Sequence, residues 1–263
     1  MRDTKWMVYS KRADFGAISA RFSVSPMLAR ILINRDIAED EIETYLNGRL
    51  DAIPSGALLP DMAKSVEILA EKIRARKLIR IIGDYDIDGV CSTYILLKGM
   101  RALGANADYD IPDRIADGYG LNLRLVERAA AEGVDTIVTC DNGIAARNEV
   151  AAAVERGLTV IVTDHHEVAH GETGEELLPP AHAVIDPKRE GSEYPFSSIC
   201  GAVVAWKLIE ELYLHFGKQK EDASVLLPFA AIATVGDVMP LKKENRIIVR
   251  EGLKAIGSCD NLG

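Results

Sequence analysis

Ile81-Ile82-Gly83-Asp84-Tyr85-Asp86-Ile87-Asp88-Gly89-Val90 decides how this 263-residue chain is read. Leu78 to Ile82 is apolar except for Arg80 and rich in isoleucine, the pattern of a buried strand. It runs straight into three carboxylates at alternate positions, then a glycine and a helical segment. Folding alone has no use for such a cluster, since like charges roughly 4 Å apart repel by about 4 kcal/mol at an effective dielectric near 20. The cluster persists where a cation neutralises it, and a divalent metal held by hard oxygen ligands is the natural candidate.

Other readings compete. Asp84, Asp86, Asp88 and Gly89 match the opening of a calcium-binding EF-hand loop, but that loop needs a glutamate where this chain has Ile95 and a helix in front where it has a strand. A haloacid-dehalogenase-type phosphatase would take Asp86 as nucleophile in a strand-end Asp-x-Asp-Gly; Asp84 then charges a position that should still be apolar. A solvated acidic turn is the reading without chemistry.

Downstream, strands and helices alternate. Strands are expected at about Leu78 to Gly83, Ala107 to Ile111, Val134 to Cys140, Leu158 to Thr163 and Ala183 to Ile185. Helices are expected at Gly89 to Leu103, Leu121 to Glu132 and Ala145 to Arg156, then near Ala202 to Phe216 and Ile247 to Ile256. This is an α/β fold with a mostly parallel, five-stranded sheet flanked by helices. Parallel strands align their carboxyl ends along one edge, where such folds bind ligands. Asp84 ends the first strand, Asp141 follows the third in Asp141-Asn142-Gly143, and Asp164-His165-His166 follows the fourth.

Singly, each residue has a structural explanation. An aspartate after a strand is often a helix cap. Two adjacent histidines among only five in the chain are harder to set aside, because neutral imidazole is a common metal ligand. His170, His182 and His215 fall in loops or on a helix and read as structural. Asp237, after the apolar run Leu226 to Val235, is either exposed or serving a buried ligand. Arg114, in the loop Pro112 to Gly120, either grips a phosphate bidentately or closes that loop with an ion pair.

Upstream, residues 1–60 read as a helical amino-terminal segment ahead of a domain over 61–263. Ser25-Pro26 starts a helix through Ile33, Glu39 to Leu46 forms a second that stops at Gly48, Pro54 to Pro60 links, and Asp61 caps a helix to about Arg76. The basic run Arg74-Ala75-Arg76-Lys77, with Arg80, is placed at a helix carboxyl end or against phosphate.

Composition sets outer limits. With 48% apolar and 27% charged residues, the chain is ordinary for a globular protein, and no apolar run is long enough to span a bilayer. Cys91, Cys140, Cys200 and Cys259 are too far apart in sequence for a zinc ribbon or redox motif and read as small buried hydrophobes in a reducing, cytoplasmic setting. The net charge of −9 argues against a protein that coats nucleic acid, but not against a nuclease whose metal-binding aspartates make the apoprotein acidic.

Asp84-Tyr85-Asp86-Ile87-Asp88-Gly89, Asp141-Asn142-Gly143, Asp164-His165-His166 and Gly236-Asp237-Val238-Met239-Pro240 together resemble the DHH phosphoesterase family, and within it the RecJ single-strand-specific exonucleases. Gly118-Tyr119-Gly120-Leu121-Asn122, Asp186-Pro187, Cys200-Gly201-Ala202 and the helical lead-in from Trp6 to Asp61 are similar too. The resemblance implies two Mn2+ or Mg2+ ions, with Asp84, Asp86 and Asp88 as ligands, Asp141 bridging both ions, His165 on one and Asp237 completing the set. His166 would steady the scissile phosphate or pass a proton, so Asp141 and His166 are the expected catalytic residues.

The implied substrate is single-stranded DNA, degraded from its 5′ end to mononucleotides, with a single-strand-binding protein and a helicase as partners and no membrane. RecJ-like proteins continue past this motif set into further domains, so the chain is expected to be an amino-terminal part. Two alternatives stay open: a DHH phosphodiesterase of short oligonucleotides or cyclic dinucleotides, and a non-catalytic binding subunit.

Overall fold

A computed structural model of the chain describes residues 10–115, 118–259 and 261. The start of the expected lead-in through Tyr9, including Trp6, lies outside the described residues, as do Ala116, Asp117, Asp260, Leu262 and Gly263. The chain divides into two compact units, one running to Ala52 and one beginning at Ile53.

In the first unit, Asp14 caps α1 (Phe15–Phe22) by accepting the Ala17 N–H at 2.9 Å. Ser25 caps α2 (Pro26–Asn34), where Pro26 takes a first-turn position that needs no N–H. A 3-10 turn at Glu39–Glu41 leads into α3 (Ile42–Asn47), which stops at Gly48. Ile18, Ala29, Leu32, Ile37 and Ile42 form the core of this unit.

The second unit opens with a 3-10 turn at Gly56–Leu58 inside the expected linker, then α4 (Met62–Arg74) and the alternating series. That series is β1 (Leu78–Ile82), α5 (Ile87–Arg101), β2 (Asn106–Asp110), α6 (Leu123–Ala131), β3 (Thr136–Cys140), α7 (Arg147–Glu155), β4 (Thr159–Thr163) and β5 (Ala183–Ile185). Then come α8 (Gly201–His215), a 3-10 helix at Lys220–Leu226, α9 (Leu227–Gly236) and α10 (Lys243–Ile256). The apolar run before Asp237 is therefore a helix, α9. The sheet is parallel throughout, in the order β2-β1-β3-β4-β5. The order in which strands are added reverses between β1 and β3, and open sheets of this order take their ligands outside the strand ends at that point. On one face α6 and α7 close over Ile82, Ile137, Val160 and Val162; on the other, α5 and α8 pack against each other and the strands.

Local detail departs from the sequence reading where a long-range partner intervenes. Asp61 does not cap α4: its Oδ2 accepts the Val184 N–H and the Arg189 guanidinium, both at 3.0 Å. α5 begins at Ile87 and not Gly89, because Asp86 caps it by accepting the Gly89 N–H at 2.9 Å. Most of the basic run has structural partners. Arg80 is buried with Asp108 and Glu132, each 2.6 Å from a guanidinium nitrogen, Lys77 lies 3.5 Å from Asp135, and Arg74 stands 5.0 Å from the Phe216 ring centroid. Cys91, Cys140 and Cys200 are buried as expected, while Cys259 is half-buried. Among the described residues no single helix is long and apolar enough to cross a membrane.

One buried charge pair lies at the back of α8. Lys207 is fully buried; its Nζ is 3.1 Å from Glu244 Oε2 and donates to the Pro54 carbonyl at 2.8 Å. Tyr194 donates its hydroxyl to the same Glu244 carboxylate, at 2.6 and 2.8 Å. The cluster fastens the start of α10 to α8 and to the segment that precedes it. Lys207→Met leaves Glu244 buried without its cation and is expected to cost about 3–5 kcal/mol, whereas Lys207→Met with Glu244→Leu recovers most of that loss. Urea unfolding followed by circular dichroism measures both; a single variant as stable as the parent chain would show that the pair holds nothing.

Candidate metal centre

The carboxyl edge of the sheet is acidic by construction. β1, β3, β4 and β5 are followed by Asp84, Asp141, Asp164 and Asp186, each almost completely buried. The strand register aligns these turns: Ile82 lies opposite Thr139, Cys140 opposite Thr163, and Thr163 opposite Ile185.

Two helix starts bring the remaining carboxylates in. Asp88, in the first turn of α5, accepts the N–H groups of Gly201 and Ala202 at 2.7 and 2.8 Å, so the amino terminus of α8 is fastened to it. These amides and the positive end of α8 offset its negative charge. Glycine is required on both sides of this joint. A Cβ at Gly89 would lie 2.5 Å from the Asp84 carbonyl oxygen, and one at Gly201 would lie 2.8 Å from the Asp141 Cβ. Asp141 itself has φ +60°, a left-handed conformation that aspartate tolerates better than most residues. Asp237 caps the carboxyl end of α9, its N–H donating to the Ala233 carbonyl at 2.8 Å.

The sequence-derived residues meet. Asp84, Asp86 and Asp141 form one group, and Asp88, His165 and Asp237 a second; within each, one ligand atom from every residue lies within 4.8 Å of the others. His165 Nε2 joins the groups, 3.1 Å from Asp141 Oδ1, 3.4 Å from Asp88 Oδ2 and 3.8 Å from Asp237 Oδ2. Asp141, His165 and His166 make a third, overlapping group. Arg114 lies at the rim, exposed, with its guanidinium 5.2 Å from the Tyr85 ring centroid. His182 accepts the Val160 N–H and His170 lies 3.3 Å from Glu190, so both serve structure.

The donor set fits a divalent cation. Asp84 Oδ2, both carboxylate oxygens of Asp141 and His165 Nδ1 are buried and make no hydrogen bond among the described residues. Burial, reinforced by the charges of Asp88, Asp86 and Asp164, pushes Asp141 far above the carboxylate range; burial likewise raises Asp84, and burial with Asp88 raises Asp237. Burial keeps His165 neutral against the pull of Asp88, leaving imidazole nitrogen available as a ligand.

Asp164 and Asn142 support the centre. Burial pushes Asp164 up, but the hydrogen bond from His166 and the N–H groups of Ile144 and His165 outweigh it and keep the carboxylate ionised. Its Oδ1 lies 2.7 Å from His166 Nδ1, and that hydrogen bond raises the imidazole pKa. The other ring nitrogen, Nε2, is 3.4 Å from the Tyr119 hydroxyl, which also reaches the Asp141 carbonyl at 3.3 Å. Asn142 donates to the carbonyls of Ile82 and Cys140 and accepts the Leu121 N–H, pinning the Tyr119 loop across the gap between β1 and β3. Sequence reasoning gave neither residue a role of its own, although the spacing of Asp-Asn-Gly and Asp-His-His behind strands was the available signal.

A parallel sheet with buried carboxylates and imidazole gathered at its switch point is an arrangement able to hold divalent metal. The family model "DHH family, N-terminal domain" matches residues 78–235, and the chain belongs to the DHH family. It is 35% identical over 249 residues to the single-stranded-DNA-specific exonuclease RecJ of Bacillus subtilis, covering 94% of this chain and 30% of that protein. It is 36% identical to RecJ of Escherichia coli, covering 89% and 41%. A crystal structure of RecJ from Thermus thermophilus in complex with Mn2+ superposes with a TM-score of 0.80 and 31% identity, over 99% of this chain and 36% of that one. The chain thus spans less than half the length of these relatives.

The raised carboxylates set a pH dependence. Each is most favourable to folding below its unfolded pKa, near 4, and loses that contribution as pH rises towards its elevated folded value, because the unfolded chain ionises there while burial holds the folded group protonated. A bound cation removes the penalty. The rise in melting temperature on adding Mn2+ should therefore grow from about pH 5 to about pH 8. Calorimetry reads it; a rise independent of pH would mean that the cation binds elsewhere.

Proposed function

We propose that this chain carries the catalytic core of a two-metal, single-strand-specific DNA exonuclease, a helical segment over residues 1–60 leading into a DHH domain over 61–263. The observation that carries the reading is the meeting of Asp84, Asp86, Asp88, Asp141, His165 and Asp237 around buried oxygens without hydrogen bonds. Asp84, Asp86 and Asp141 are assigned to one ion; Asp88, His165 and Asp237, with Asp141 shared, to the other. The mixed carboxylate and imidazole set suits Mn2+ somewhat better than Mg2+. When bound, such a pair supplies an acidified water and neutralises charge building on the phosphoryl oxygens.

The remaining residues act on the strand and its protons. Asp164 fixes His166 through Nδ1, which leaves Nε2 to meet the scissile phosphate or hand over a proton beside the Tyr119 hydroxyl. Burial and the surrounding carboxylates hold that phenol protonated, so it serves as a donor. Tyr85 and Tyr119 stand edge to face with centroids 6.1 Å apart, offering a nucleobase an aromatic surface. Arg114 above Tyr85 is the assigned phosphate contact.

The names of the relatives support a single-stranded DNA substrate, and family resemblance supports attack from the 5′ end with release of mononucleotides. The same resemblance supports a role in repair and recombination with a single-strand-binding protein and a helicase as partners, and the widely spaced cysteines support a cytoplasmic setting.

Manganese-dependent release of mononucleotides from 5′- and 3′-labelled single strands tests the reading. Asp141→Ala should lower the rate by more than about a hundredfold, since even residues that only orient metal ligands contribute that much. His166→Ala should lower it by about a hundred- to ten-thousand-fold, the range of general acid–base catalysis. Equal rates in Asp141→Ala and the parent chain would remove the site, and a preference for dinucleotides over long strands would favour a short-oligonucleotide phosphodiesterase.

A further inference from the structure

The carboxyl edge holds a second polar feature beside the acidic centre. After β5, Asp186 is buried and its Oδ1 accepts the Lys188 N–H at 2.8 Å, which closes a tight turn. Arg189 locks the same turn from below, donating to the Val184 carbonyl at 2.6 Å and to Asp61 at 3.0 Å. Lys188 is therefore presented from a rigid base. It borders a cavity of about 550 Å³ whose lining includes Glu167, Ser192, Ser197 and Ser198.

This cavity adjoins the candidate centre on two sides. Glu167 directly follows His166, and the charge of Lys188 is felt at the His166 imidazole. On the other wall, the Ser198 carbonyl accepts from Asn245 at 2.7 Å, and Ser198 lies just ahead of Gly201, whose N–H holds Asp88. A chain leaving the scissile position has this hydroxyl-lined space next to it.

The cation in the cavity already has an anion on it. Glu167 Oε1 is 2.9 Å from Lys188 Nζ, yet the Glu167 side chain is 86% exposed while that of Lys188 is 24% exposed. So exposed a partner contributes little to stability and is easily displaced. We propose that Lys188, with the serine hydroxyls around it, forms a binding subsite for a phosphodiester neighbouring the scissile one, and that Glu167 occupies the lysine until the strand displaces it. The subsite rests on the reading of the chain as a strand-cleaving enzyme. It adds a determinant of substrate length: a strand long enough to reach Lys188 gains a charge contact that a dinucleotide lacks.

The test is binding of a fluorescein-labelled twelve-nucleotide single strand to the full chain, followed by anisotropy with calcium in place of manganese. Lys188→Ala should weaken binding about tenfold and flatten the slope of log Kd against log salt by about 0.7, the value for one lost contact on a single strand. Lys188→Arg should restore most of the affinity. Glu167→Gln should tighten binding a few-fold, because the competing charge is gone. Lys64→Ala, an exposed lysine on α4, removes the same charge elsewhere and should leave affinity unchanged. Manganese affinity and melting temperature should stay constant throughout the series.

Opposite signs for Lys188→Ala and Glu167→Gln support the subsite. Weakening by both would make the pair a structural tie and overturn it, as would a Lys188→Ala protein equal to the parent, or a Lys64→Ala loss as large. A parent chain with no affinity for the strand would instead overturn the exonuclease reading, and the subsite with it.

Discussion

Two backbone amides closing on one carboxylate hold this molecule in its working shape. Gly201 and Ala202, at the start of α8, donate to Asp88 at the start of α5, and the two helices are thereby joined at the edge where the strands end. The two oxygens of Asp88 give each amide an acceptor of its own. Without that bond the amino terminus of α8 would carry buried amides with no partner, and the distance between Asp141 and Asp88 would be free to grow under their mutual repulsion. Asp88 thus works in two directions at once, as a structural acceptor and as part of the acidic centre.

The energetic cost of such a centre is spread over the sheet edge. Like charges are confined within a few ångströms of one another, in turns that burial has already made unfavourable for charge. The opposing stabilisation comes from elements at a distance: the apolar layers on both faces of the sheet, the Arg80 ion pairs beneath α6, and the Lys207, Glu244 and Tyr194 cluster behind α8. The last is itself a buried charge arrangement, and it lies in the segments on either side of the loop that carries Asp237. Scaffold and centre therefore share the same covalent segments.

Much of this was legible from residue order alone. β1, β3, β4 and β5 announce themselves as short β-branched runs, and an aspartate after each of them means little until a parallel sheet aligns the ends, which is why Asp84, Asp141 and His165 group together in the sequence itself. What sequence hid was partnership across long distances. Asp61 looks like a cap because it precedes a helix, yet its carboxylate is claimed by Val184 and Arg189, more than a hundred residues away. Lys207 is an ordinary lysine on an expected helix by sequence, yet most of α8 is buried and the ammonium is sealed in. Arg80 interrupts an apolar strand for a reason that only Asp108 and Glu132 supply. In each case a polar residue has one local explanation and one distant one, and periodicity reports only the first.

The closeness of Gly201 to Asp141 has a consequence for reading related chains. At this position the space for even a methyl group is already taken by the aspartate opposite. A homologue that keeps every acidic and histidine residue but carries a side chain there cannot bring its helix start and its third-strand turn together in this arrangement. Such a chain would look complete by its motifs and yet hold a sprung pocket. A glycine that touches no substrate thus becomes a diagnostic for separating working members of the lineage from silent ones.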